Sequence, residues 1–257
     1  MQLSVFDIIT EAISDTWANR RDLATFAFLP VLMLAIIGTL MAGVIGDPRI
    51  IFENPGEVPP EVIARMFFGS IINWMFGLLF YTLFAVAWYR RNLIGLEATT
   101  LGVAMRWSGR QWRFFRRLLL LIINLFGVLF ILSALLSNVM PLAPVLSALL
   151  IVIGLIYARA ALVFPALATD TPMTFFESVK LTNGNSWRMM MAIVVLPFAV
   201  MLFGGIAVLV IVSPLANLVG SSVTAQFLVS LIAQSVNYIG FAIGITALSL
   251  AYRQLTA

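Results

Sequence analysis

"VLSALLIVIGLIYARAALVFPALA", residues 145–168, is an apolar run of membrane-crossing length that carries one arginine, Arg159. A helix needs about 20 mostly apolar residues to cross roughly 30 Å of hydrocarbon. Backbone polar groups in lipid must be bonded within their own segment, so such a run is a helix rather than a strand. Five further stretches pass the same test, near 24–46, 67–89, 118–138, 189–213 and 224–251. The chain therefore reads as all-α, a polytopic integral membrane helical bundle with six transmembrane helices in one domain over residues 1–257.

Composition supports that reading. The chain is 62% hydrophobic and 10% charged, with mean hydropathy +1.06, whereas soluble domains carry about 25% charged residues. A water-facing surface cannot absorb that excess. The formal charge of +4 is explained better by orientation and anionic lipid than by nucleic acid, which is not expected as a partner. There is no Cys and no His. That removes thiolate chemistry, zinc ligation and the usual proton shuttle near neutrality. A rhomboid-type serine hydrolase would lack its base. An intramembrane aspartyl protease would need two Asp at membrane depth, and no phosphate-binding loop of the ATPase kind is present. No catalysis, metal or cofactor is expected.

The connecting segments sort by charge. Seven arginines, Arg90, Arg91, Arg106, Arg110, Arg113, Arg116 and Arg117, follow the second span, and Lys180 and Arg188 follow the fourth. With Arg20, Arg21 and Arg253 these are twelve of the fifteen basic residues; only Arg49 and Arg65 lie on the other side. The positive-inside rule then places both termini and both long loops in the cytoplasm. The start, "MQLSVFDIITEAISDTWANRR", lacks the basic and small-residue features of a cleaved signal, so the first span is expected to serve as the targeting signal. Pro55, Pro59 and Pro60 break helix in the first outer loop, with a short helix expected from Glu61.

Residues 4–20 read as an interfacial amphipathic helix. Val5, Phe6, Ile9, Ile13 and Trp17 recur at helical spacing, opposite Asp7, Glu11, Ser14 and Asp15. Phe6–Trp17, Leu101–Trp112 and Phe176–Trp187 share an eleven-residue spacing. Gly109 and Gly184 stand three before their Trp, with Arg113 and Arg188 just after. Either three cytoplasmic interfacial helices descend from one repeated unit, or three interfaces required the same anchors. The anchors expected at the headgroup layer are Trp17, Arg106, Arg110, Trp112, Arg113, Arg116, Arg117, Trp187 and Arg188.

Arg159 lies roughly 21 Å along its span from Val145, past the midplane towards the arginine-rich side. It either snorkels or bonds helix carbonyls as a structural group, or it lines a polar cavity and binds a phosphate-like anion. Gln226, Ser230, Gln234 and Asn237 form one stripe on the last helix. They serve either as polar contacts between helices or, with Arg159, as a ligand site between helices four and six. Asn73 and Asn124 are further amides at membrane depth. Gly240 with Gly244, and Gly38 with Ala42, invite close helix packing, and Pro197 predicts a bend in the fifth helix.

The stretch "RAALVFPALATDTPMTFFESVKLTNGNSW", Arg159 to Trp187, resembles bacterial six-helix inner-membrane proteins related to the membrane domain attached to some glycerophosphodiester phosphodiesterases. Arg159, Pro165, Ser178, Gly184 and Trp187 carry the likeness. The resemblance implies a stand-alone inner-membrane protein; the hydrolase activity does not come with it, because the soluble catalytic domain and every His are missing. The sequence thus points to a non-catalytic protein that supports envelope organisation or handles anionic phospholipid headgroups in the bilayer. A small-solute transporter or exporter and a membrane scaffold for other proteins are the alternatives.

Overall fold

The computed structural model describes residues 3–45, 58–95, 102, 105–136, 142–171, 173–219 and 222–256. No strand occurs among them, and six helical stretches are long and apolar enough to cross a membrane. The helices, in chain order, are α1 (Val5–Ala18), α2 (Arg20–Ile45), α3 (Pro60–Leu93), α4 (Gly109–Leu136) and α5 (Leu142–Ala160). After them come α6 (Val163–Ala168), α7 (Phe175–Leu181), α8 (Ser186–Met190), α9 (Leu196–Val219) and α10 (Val223–Thr256). One turn of π-helix, Met191–Val195, joins α8 to α9. In the most apolar window of each span, only 6% to 39% of residues are buried. The exposed remainder includes Phe28, Phe68, Phe130, Phe203 and Leu209. Such a surface is stable only against lipid, and the protein is a multi-pass membrane bundle.

The spans extend beyond the expected boundaries. α3 starts at Pro60, whose missing N–H costs nothing at the first helical position, and ends with Arg90 and Arg91 complementing its dipole. The short helix expected from Glu61 is therefore the first turn of the span itself. The fifth span, expected to end near residue 213, continues as helix to Val219. Residues 46–57 and 137–141, with the other expected outer turns, lie outside the described residues, as does most of the second interfacial helix expected near residue 101.

The fourth span is not one helix. Its α-helical pattern stops at Ala160, turns through Ala161 and Leu162, and resumes as α6. Pro165 explains the break: it has no N–H for the Ala161 carbonyl, and its ring would clash there in a continuous helix. The Phe164 N–H bonds the Ala161 carbonyl instead, at 3.0 Å. A second proline, Pro197, follows the π-turn and would similarly deny a partner to Ile193, which lies within it.

α10 is the central helix, packed by α1, α2, α3 and α9, while α4 joins α3 to α5. Its α9 seam is built on small residues. A Cβ at Gly240 would lie 2.7 Å from Met201, and one at Gly244 would lie 2.8 Å from Pro197; across the seam, a Cβ at Gly204 would meet Val236. Gly38 likewise faces Ser230.

The core sits at the arginine-rich end. Every residue of "FAVAWY", Phe84 to Tyr89, is buried, as is nearly all of Ala158–Ala168. Trp88 stacks on Phe84, and Phe84 meets Tyr238 edge-on with centroids 4.9 Å apart. The Trp88 Nε1 donates to Thr246 Oγ1 at 3.0 Å, where Thr16 Oγ1 and Asn92 Nδ2 also converge. One hydroxyl thus ties α1, α3 and α10 together.

α1 has two apolar faces. Ile8, Ala12 and Thr16 are buried against the bundle, while Phe6, Ile13 and Trp17 remain exposed on a neighbouring face. The three Trp units differ locally. Gly184 occupies a turn at φ 79°, whereas Gly109 opens α4. The shared glycine position therefore does not mark one backbone motif.

Gly244→Leu is expected to overpack the α9–α10 seam and cost about 1–3 kcal/mol. Gly205, whose added Cβ would meet nothing within 4 Å, supplies the control: Gly205→Ala is expected to hold or slightly raise stability. Thermal melting in detergent micelles measures both.

Candidate functional site

The arginine-rich end is organised around an acid. Asp170 follows α6 with φ 60°, a left-handed conformation in which Asp is tolerated. Its carboxylate accepts from Arg110 Nε at 3.0 Å and Arg113 Nη2 at 3.0 Å, with Arg90 Nη1 at 3.5 Å. Arg90 also donates to the Ala168 carbonyl at 3.1 Å. The hydrogen bond from Arg110, joined by the charges of Arg110, Arg90 and Arg113, holds the Asp170 carboxyl below its ordinary range despite partial burial. A neighbouring clamp sets Arg91 against Asp22 at 3.2 Å and Asp15 at 3.8 Å, over the Trp88 ring.

These pairings divide the expected headgroup anchors. Arg110 and Arg113 are bonded to Asp170, and the Arg117 guanidinium stacks over Phe175 at 5.3 Å. Arg106 and Arg116 are exposed and make no ion pair among the described residues. Trp17, Trp112 and Trp187 are all exposed, Trp112 stacking on Phe115, and Arg188 is half-buried beside Trp187.

Arg159 and the α10 stripe, expected to share a ligand between helices four and six, are not brought together. The break after Ala160 leaves Arg159 against α7. Its Nη2 donates to the Val179 carbonyl at 3.4 Å. Its own carbonyl accepts from Ser178 Oγ at 2.6 Å and Thr182 Oγ1 at 3.4 Å. The Nε is buried without a partner among the described residues. The guanidinium thus bonds one helix carbonyl across to α7. α7 itself is fixed by a capping box, in which Glu177 accepts from the Thr174 N–H at 2.7 Å and returns its own N–H to Thr174 Oγ1. Those bonds depress the Glu177 carboxyl pKa.

The stripe also divides. Gln226 is exposed near the start of α10, and Ser230 faces Gly38. Gln234 and Asn237 line a cavity of about 400 Å³, joined there by Asn73 and by Tyr81, Tyr157 and Tyr238. A separate groove of about 510 Å³ runs between α1, α2 and α10. Ile13, Phe28, Leu32, Leu231 and Ile239 form its walls, and Trp17 and Arg20 stand at its α1 end.

Sequence reasoning missed Asp170 and the place of Arg20 at the end of the groove. A signal for Asp170 was present: an acid just after a proline-broken span, on the side holding most of the arginines. No comparable signal marked Tyr81, Tyr157 or Tyr238, which on a helix read as ordinary aromatic packing.

The contribution of Asp170 should depend on pH in a defined direction. Its folded pKa is depressed, so its stabilisation is present above the ordinary value of about 3.9 and is lost as pH falls through the folded value. The carboxylate is 40% exposed, and solvent screening keeps the effect near about 1 kcal/mol. Asp170→Asn is expected to melt about 2–4 °C below the parent at neutral pH. That gap should stay constant down to about pH 5 and close in stronger acid; differential scanning fluorimetry across pH tests it.

Compared with protein-family models, curated proteins and solved structures, the chain matches none of them.

Proposed function

We propose that this is a non-catalytic protein of the bacterial inner membrane that holds anionic phospholipid at its cytoplasmic side. The observation that carries the reading is the groove between α1, α2 and α10, which joins an apolar trough to a guanidinium. From Arg20 to Leu32 along α2 the groove covers about 18 Å at 1.5 Å per residue, a depth that suits an acyl chain. Arg20 spends one N–H on the Trp17 carbonyl, at 3.4 Å. The other donors of its fork suit a phosphate.

The same reading gives each terminal element a role. The positive-inside rule orients the arginine-rich end to the cytoplasm. α1 lies along the interface, with Ile8 and Ala12 on the bundle and Phe6, Ile13 and Trp17 on acyl chains. Arg21, Arg106 and Arg116, exposed and outside any ion pair among the described residues, add attraction to anionic headgroups. Arg110 and Arg113 contribute less, since Asp170 already neutralises part of their charge. The likeness of residues 159–187 to six-helix inner-membrane proteins agrees with this placement.

Lipid retention in nanodiscs, followed by native mass spectrometry, tests the proposal. Arg20→Gln is expected to weaken phosphatidylglycerol retention about fivefold, equivalent to about 1 kcal/mol for one basic residue near the surface. Equal retention by Arg20→Gln and the parent would refute it.

Arg159→Gln is expected to behave differently. The main bonds at that position are to its backbone carbonyl, which the substitution preserves. The variant should lose about 1 kcal/mol of stability and retain phosphatidylglycerol as the parent does. Solute flux in proteoliposomes would instead favour a transporter.

A further inference from the structure

The cavity within the bundle has chemistry that anionic lipid does not match. We propose that it binds a membrane-dissolved amphiphile with a neutral head, a hydroxyl- or carbonyl-bearing lipid without net charge.

Three observations lead there. The first is unmet hydrogen-bonding capacity. Asn73 on α3 and Gln234 and Asn237 on α10 line the cavity, and none of their side-chain amides bonds a protein group among the described residues. Tyr238, only 1% exposed, also lines it, and its hydroxyl has no partner there. The three amides are half-buried and keep donors and acceptors free for a guest, so the cavity offers hydrogen-bonding capacity that the protein itself leaves unused.

The second is the absence of charge. Among the described residues, no Asp, Glu, Lys or Arg lines the cavity. An ion entering it would lose its hydration without gaining a counter-ion, at prohibitive cost in a low-dielectric setting. Amides and phenols offer a neutral head both donors and acceptors.

The third is polarity along the membrane axis. Arg90 on α3 and Arg253 on α10 mark the arginine-rich end. Counting about 1.5 Å per residue from them, Asn73, Gln234 and Asn237 lie about 24–28 Å away. In a hydrocarbon layer of roughly 30 Å, that is in the half of the layer away from the arginines. Tyr81 and Phe241, by the same count, lie about 14–18 Å from the arginines, near the midplane. Leu34, Leu78, Leu118 and Ile122 supply the apolar wall. The arrangement of amides in the far half of the layer and an apolar pocket reaching towards the midplane matches a lipid of the far leaflet, head outwards. A volume of about 400 Å³ falls within the usual range for small-molecule sites, about 300–1,000 Å³.

Water alone would satisfy the amides but would meet mostly apolar walls, where it is poorly held. The test must therefore separate a lipid from water, and this site from the groove at Arg20. The probe is 1,2-dioctanoylglycerol, with dioctanoyl phosphatidylglycerol as the anionic comparison. Each is titrated into the full chain in nanodiscs and read by native mass spectrometry. The parent is expected to bind dioctanoylglycerol saturably.

Two sets of variants report on the cavity. Gly77 lines it, and an added Cβ there meets nothing within 4 Å. Gly77→Leu should therefore fill the space without straining α3 and weaken dioctanoylglycerol binding at least about tenfold. The pair Gln234→Leu and Asn237→Leu keeps the volume but removes the head's partners, and is expected to weaken binding by about tenfold as well. Dioctanoyl phosphatidylglycerol binding should be unchanged in all of them, which also reports an intact fold. Non-saturable partitioning of dioctanoylglycerol, as a merely hydrated cavity would give, overturns the proposal; so does saturable binding that survives Gly77→Leu. Failure of the Arg20→Gln experiment alone leaves this site standing, because the two share no charged residue.

Discussion

A missing N–H at Pro165 governs the arginine-rich end. A continuous fourth helix would carry the chain onward along its own axis and present Arg159 to its neighbours at membrane depth. The proline ring and the unclaimed Ala161 carbonyl stop it after Ala160 and restart it as α6. Three consequences follow. Ala158–Ala168 becomes one of the most buried segments of the protein. Arg159 is turned towards α7, where the Ser178 and Thr182 hydroxyls take its carbonyl. The exit from α6 delivers Asp170 into the arginines that end α3 and open α4.

The arginines consequently do two kinds of work. Arg90, Arg91, Arg110 and Arg113 are held by Asp170, Asp22 and Asp15, in pairs that fix the ends of α2, α3 and α4 relative to one another. Each such pair is individually modest because it is partly solvated; several sharing one carboxylate define a geometry. Arg20, Arg21, Arg106 and Arg116 remain outside ion pairs among the described residues and keep their field for other anions. Charge count alone does not distinguish the two groups, since every one of these residues lies on the same side of the membrane.

Polar residues within the spans show a similar division. Thr246 is satisfied by Trp88, Thr16 and Asn92 and holds three helices in one arrangement. Gln234, Asn237, Asn73 and the Tyr238 hydroxyl find no such partners. They border a cavity that Gly77 also lines, where an added Cβ would meet nothing within 4 Å. Small residues act in opposite senses: at Gly240 and Gly244 they admit a neighbouring helix, whereas at Gly77 they leave volume unfilled.

Much of the architecture was legible in the residues themselves. Six apolar runs of spanning length can only be helices in lipid, because an unpaired backbone group there is too costly. Pro197 announced irregular helix locally, and the pair Gly240 and Gly244 announced a close crossing, whereas the break before Pro165 was not foreseen in a run read as one helix over 145–168. The first helix was also visible, though its face on the bundle, Ile8, Ala12 and Thr16, was not. Hydropathy cannot say which of two apolar faces meets protein and which meets lipid. Tertiary structure alone decided the partners: that Arg159 serves α7, that Asp170 gathers three arginines, and that the α10 stripe splits between a helix contact and a cavity. Periodicity places a side chain on one face of its own helix, but what that face meets depends on helices dozens or hundreds of residues away, and their packing is set by volumes that no local pattern records.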